Sequence, residues 1–244
     1  MTNNEQEMTL IDHIEELRHR LLICLIAMAI GVVISLFFGE KIVAFLTIPI
    51  GGLDKLQSIE ITENMGVYMR VSLLAGLIVA FPVIIYELLL FILPALKPGE
   101  KRFVLFSIPM VTLFFLGGVV FGFLVMLPAA LPFLTNFLGV ETNPRLSSYI
   151  NFVTNLLFWI GISFEMPLFV YVLARFGVVT AKSLLKFWRQ AIVLIAVLAA
   201  VITPTVDPVN MALMMSPLIV LYFVSILFAW FARRGRADQS ESAE

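Results

Sequence analysis

Apolar residues in this chain come in six long runs separated by short charged or polar segments. The runs cover residues 21 to 38, 71 to 93, 103 to about 134, 149 to 174, 190 to 203 and about 209 to 231, with the helix of the second starting near Met65. A hydrocarbon core about 30 Å thick is crossed by about 20 helical residues. The pattern therefore predicts an all-α integral membrane protein of six transmembrane helices.

The fifth run is short, with only Ala191 to Ile202 strictly apolar between an Arg-Gln pair and the segment TPTVDP. At 1.5 Å per residue it covers roughly 18 Å. It is either a re-entrant or buried helix, or a span met by local thinning of the bilayer. The third run is longer than the core is thick, so it must tilt, bend or protrude. Prolines inside the runs, at Pro82, Pro109, Pro128, Pro132, Pro167 and Pro217, predict kinked helices around a concave face.

Composition agrees with a membrane protein: 61% of residues are hydrophobic and 14% charged. A net charge of -1 gives no reason to expect nucleic acid as a partner. The single cysteine, Cys24, excludes an internal disulfide framework and reads as packing. The first run is preceded by Asp12, Glu15 and Glu16 and lacks a small-residue cleavage site, so it remains as a helix.

Charge position gives orientation, because Lys and Arg collect on the cytoplasmic side. With the N-terminus inside, only Lys41, Lys55, Arg70 and Arg145 of the sixteen fall outside. The expected layout is a multi-pass protein of the bacterial inner membrane with both tails cytoplasmic. Residues 1–232 form a single membrane domain, and residues 233–244 form an unstructured tail.

Enzymatic chemistry finds little support. No GxxxxGK[ST] loop is present for nucleotide phosphates, no HExxH pair for zinc, and His13 and His19 both precede the first run. No cofactor and no metal site are expected. What remains is a set of carboxylates. Glu15, Glu16 and Glu100 read as acids of helix ends or loops, and Glu16 forms an i, i+4 pair with Arg20. Glu87, next to Tyr86 and seven residues before Pro94, reads as interfacial. Glu165 is different: it is the only charged residue between Arg145 and Arg175, and ten residues still separate it from Arg175. An ionisable group at that depth is a functional candidate, facing a bundle interior, a wet cavity or a partner.

HIEELRHRLL before the first run, FPVIIYELLLFILPALKPGEKR at the end of the second, ISFEMPLFVYVL in the fourth and TPTVDP between the last two resemble the TatC family. This is the multi-spanning subunit of the twin-arginine protein translocase. The resemblance covers nearly the whole chain in order. It implies six spans with short fifth and sixth helices, and a receptor and organising subunit rather than an enzyme.

The resemblance also places an Arg-Arg signal-peptide site on Glu16, Arg18, Glu100 and Arg102, and marks Glu165 as an intramembrane functional residue. Pro82, Tyr86, Glu87, Pro94 and Asp207 are implied as structural or partner positions. Where the family usually has glutamine, this chain has Glu87. The implied partners are single-span TatA- and TatB-type subunits, folded cargo carrying the signal peptide, and membrane lipid, in an oligomeric complex driven by the proton-motive force. The chemistry fits, since a planar guanidinium fork meets a carboxylate in a way a lysine ammonium cannot. The competing reading is a proton-coupled secondary transporter using Glu165, which would show inverted repeats between the halves. None is visible in the sequence.

Overall fold

The computed structural model describes residues 10–92, 98–135, 144–203 and 208–241, with side chains described at 13–91, 107–135, 144–203 and 208–232. Its helices are α1 (Leu10–Phe37), α2 (Gly39–Leu46), α3 (Glu63–Ile92), α4 (Pro98–Phe121), α5 (Leu127–Thr135), α6 (Leu146–Phe164), α7 (Met166–Arg175), α8 (Ala181–Lys186), α9 (Trp188–Ile202) and α10 (Pro208–Glu241). Among the described residues, five stretches are long and apolar enough to cross a membrane: His13–Phe37, Glu63–Phe91, Ser107–Thr135, Leu146–Arg175 and Pro208–Ala232. The sixth apolar helix is α9, whose 15 residues reach roughly 22 Å. It is the short fifth helix of the sequence reading.

The sixth helix is not short. Its apolar part alone is 25 residues, because no charge interrupts the chain between Pro208 and Arg233. Residues 233–241, expected as an unstructured tail, continue α10. Only Gly235 weakens an otherwise helix-compatible segment there.

Proline accounts for the two places where spanning helices change geometry. Pro128 has no N–H for the Leu124 carbonyl, and the chain widens ahead of it into a π turn at Gly122–Met126. The Leu127 N–H there reaches back to Gly122. Pro167 likewise cannot serve the Ser163 carbonyl, and α6 breaks from α7 at Glu165, whose N–H bonds Ile162 O at 3.0 Å.

The chain forms two compact units, Met1–Gly39 with Val71–Thr112, and Glu40–Arg70 with Leu113–Glu244. In the first, α1 and α3 meet backbone to backbone at Gly31 and Gly76, where a side chain on either would have no room. In the second, α6 is the most enclosed element: Ile150, Val153, Leu156, Leu157 and Ile160 are all at most 2% exposed. A glycine contact recurs where Gly118 of α4 abuts Gly161 of α6. A further cluster joins α7, α8, α9 and α10 through Val170, Ala174, Ile195, Leu218 and Tyr222. The Tyr222 hydroxyl donates to Leu184 O at 2.6 Å, which satisfies a polar tip inside an apolar contact.

Candidate functional site

The predicted pair on α1 forms. Arg20 Nε donates to Glu16 Oε1 at 2.9 Å, and Nη2 donates to the same oxygen. The third donor was not anticipated: Arg20 Nη1 reaches across to α3 and donates to Glu87 Oε2 at 3.1 Å. Glu87 is therefore not a merely interfacial acid. It is 7% exposed and is the second carboxylate on one guanidinium. The reason is burial: a carboxylate removed from water needs a charged partner, and Arg20 supplies it.

Two carboxylates thus share one guanidinium. Glu16 Oε2 is buried and has no hydrogen-bond partner among the described residues. His13 Nδ1 lies 3.9 Å from that oxygen, and the His13 ring stacks on Phe91 at 4.3 Å between centroids. Arg18 points to solvent and stands outside the cluster, and Tyr86 is also exposed. Pro82 lies inside α3. Glu100 and Arg102 belong to the start of α4, but their side chains lie outside those described, as do Pro94 and Asp207 altogether.

Glu165 stands at the break between α6 and α7, roughly 15 Å of helix from Arg175. It is half-buried, and its Oε1 is enclosed without a hydrogen-bond partner among the described residues. One turn later Phe169 is 63% exposed. The site is thus a carboxyl group at a helix break, beside a surface open to apolar contact.

Two polar constellations escaped the sequence reading. Glu63 accepts from the backbone N–H groups of Ile59 at 2.9 Å and Glu60 at 3.3 Å through Oε2, and from Ser147 at 2.8 Å through Oε1. It holds the first turn of α3 and the first turn of α6 together. Arg145 pairs with Glu60 at 2.8 Å and with Glu63 at 3.1 Å. The Glu60 carboxylate, with Glu63 beside it, keeps that guanidinium charged above its ordinary range. The second constellation is Arg70, whose Nε donates to Thr154 Oγ1 at 2.8 Å and whose Nη2 donates to Asn155 Oδ1 at 2.9 Å. The polar pair Thr154 and Asn155 inside the fourth apolar run was the available signal for it.

No group of three or more metal-ligating side chains occurs among the described residues. The arrangement offers carboxylates for cations at one end of α1 and a hydrogen-bonding acid inside the fourth span. The family model for the Sec-independent protein translocase protein (TatC) matches residues 12–217. The chain belongs to the TatC family. It is 38% identical over 241 residues to the TatC of Aquifex aeolicus, covering 95% of this chain and 98% of that one. The TatC of Carboxydothermus hydrogenoformans is 34% identical, with 94% and 96% covered. The chloroplast TATC of Arabidopsis thaliana is 34% identical over 90% of this chain and 65% of its own length. A crystal structure of a twin arginine translocase receptor TatC superposes with a TM-score of 0.80 at 36% identity, covering 91% of this chain and 99% of that one. As a TatC-family chain, the protein is a membrane-embedded component of a Sec-independent protein translocase.

Proposed function

We propose that this TatC-family chain is the receptor and organising subunit of a bacterial inner-membrane translocase. It binds Arg-Arg signal peptides of folded cargo at the cytoplasmic end of α1 and recruits single-span partner subunits for export driven by the proton-motive force. The observation that carries the reading is the enclosed Oε2 of Glu16, which has no hydrogen-bond partner among the described residues, in a cluster where two carboxylates share one guanidinium. A buried carboxylate oxygen without a donor favours an arriving cationic donor, and of the two basic side chains the guanidinium fork is the better match to a carboxylate. A related structure is described as a twin arginine translocase receptor, which points the same way. Glu100 supplies the second acid of the site, and Glu165 anchors a partner helix inside the membrane.

The test is cross-linking of an Arg-Arg signal peptide to Glu16→Ala, Glu100→Ala and the double variant in native vesicles. A charge-assisted contact contributes about 1.5 to 3 kcal/mol, so each single change should weaken binding by roughly ten- to a hundredfold. Membrane insertion should stay normal. Wild-type peptide binding by the double variant would overturn the proposal.

A further inference from the structure

Arg20 occupies the acid that the proposed ligand needs. Two of its nitrogens donate to Glu16 Oε1, leaving an arriving guanidinium only Oε2. Full engagement of Glu16 by an arriving cation, guanidinium or ammonium alike, takes both oxygens, so Arg20 has to release Oε1 first. Withdrawal of a lone cation into an apolar setting would be strongly unfavourable. Here it is not left alone, because Nη1 already bonds Glu87 on a different helix, 67 residues away in sequence. Glu87 keeps its position when the Glu16 carboxylate is handed over. Among the described residues, the charged groups paired with Arg20 are Glu16 and Glu87, with His13 against Glu16 from the same helix.

We infer that Arg20 is a built-in competitor for the ligand's arginine, and that Glu87 is the seat to which it moves when the site opens. The inference rests on the receptor reading above. In the closed state the guanidinium bridges Glu16 and Glu87. In the open state it is held by Glu87 alone, and Glu16 accepts the peptide. Both acids stay paired throughout, so the exchange never leaves a naked charge.

The exchange has a quantitative signature. Apparent affinity equals intrinsic affinity reduced by the fraction of open site, so anything that alters closure changes every ligand by the same factor. Arg20→Lys keeps the charge but replaces a fork by a point charge, which closes the site less well. Arg20→Gln removes the competitor. Glu87→Gln removes the second seat and holds Arg20 on Glu16. Glu87 acts only through Arg20, so its substitution has no effect once Arg20 is Gln.

The experiment uses full-length purified protein and two labelled synthetic peptides, one with Arg-Arg before an apolar segment and one with Lys-Lys. Arg20→Lys should tighten both by about threefold and Arg20→Gln by about tenfold, with the ratio between the peptides unchanged. Glu87→Gln should weaken both by about threefold, and Arg20→Gln/Glu87→Gln should match Arg20→Gln. Weaker or unchanged binding by Arg20→Lys, an altered peptide ratio, or an undiminished Glu87 effect in the Arg20→Gln background would each overturn the inference. Glu16→Gln separates the two levels: if it binds peptide like wild type, the receptor reading fails. If it loses binding while Arg20→Lys does not tighten it, only the exchange fails.

Discussion

A methyl group added to Gly31 would stand 2.5 Å from the carbonyl oxygen of Gly76. That carbonyl is backbone and cannot swing away, so α1 and α3 would have to separate. Gly31→Ala should therefore lower stability by about 1 to 3 kcal/mol, the usual result of overpacking. Gly66→Ala is the control, since nothing lies within 4 Å of its added carbon. It should be neutral or stabilising. Thermal unfolding in detergent compares them, and equal melting points would show that the crossing is loose.

Glu63 faces only donors, namely the N–H groups of Ile59, Glu60 and Ser147 and the Arg145 guanidinium. Glutamine would turn an amide N–H₂ toward some of them, and alanine would leave them all unpaired. Both variants should melt several degrees lower and be cut faster by protease between residues 51 and 62. Wild-type protease resistance in Glu63→Gln would show that shape, not charge, holds the first turn of α6.

Glu165 distinguishes hydrogen bonding from packing. Glu165→Gln keeps donor and acceptor capacity and should retain most partner recruitment and cargo transport. Glu165→Leu fits an apolar setting better and should fold, yet lose both by tenfold or more if it removes an anchor equivalent to about 1.4 kcal/mol or more. Signal-peptide cross-linking should survive in both. Full recruitment by the leucine variant would leave the enclosed oxygen without a role.

Orientation is checked by labelling. In a Cys24→Ser background, a cysteine at the exposed Ser58 should react with a membrane-impermeant reagent added outside, and one at the exposed Ser183 only after the vesicles are opened. Outside labelling at position 183 would reverse the expected topology.

The spans were readable because hydrocarbon imposes a length and an apolarity that sequence shows directly. The position of Glu165 was readable for the same reason, as an ionisable group inside an apolar run. The Glu16 and Arg20 pair followed from helix spacing. Glu87 as the second partner of Arg20 did not, because α3 is apolar on nearly every face and carries no stripe to say which side meets α1. Glu63 lay hidden among polar neighbours, where an acid of a helix-starting clamp looks like any loop acid. Arg70 was counted as an outside charge, although its guanidinium is held by Thr154 and Asn155. The length of α10 is legible in the uncharged run between Pro208 and Arg233, which the family resemblance does not convey.

The Glu63 clamp also sets an order of events during synthesis. Its two halves are 84 residues apart, and its second half is the start of α6. Chains emerge from the N-terminus onward. Until Ser147 has been made and α6 has entered the membrane, Glu63 can hold the start of α3 but nothing beyond it. The Gln57 strand contact to Pro144 and Leu146 is missing for the same interval. A chain stalled after its third span therefore has this segment unlocked, and only the completed, inserted α6 closes it.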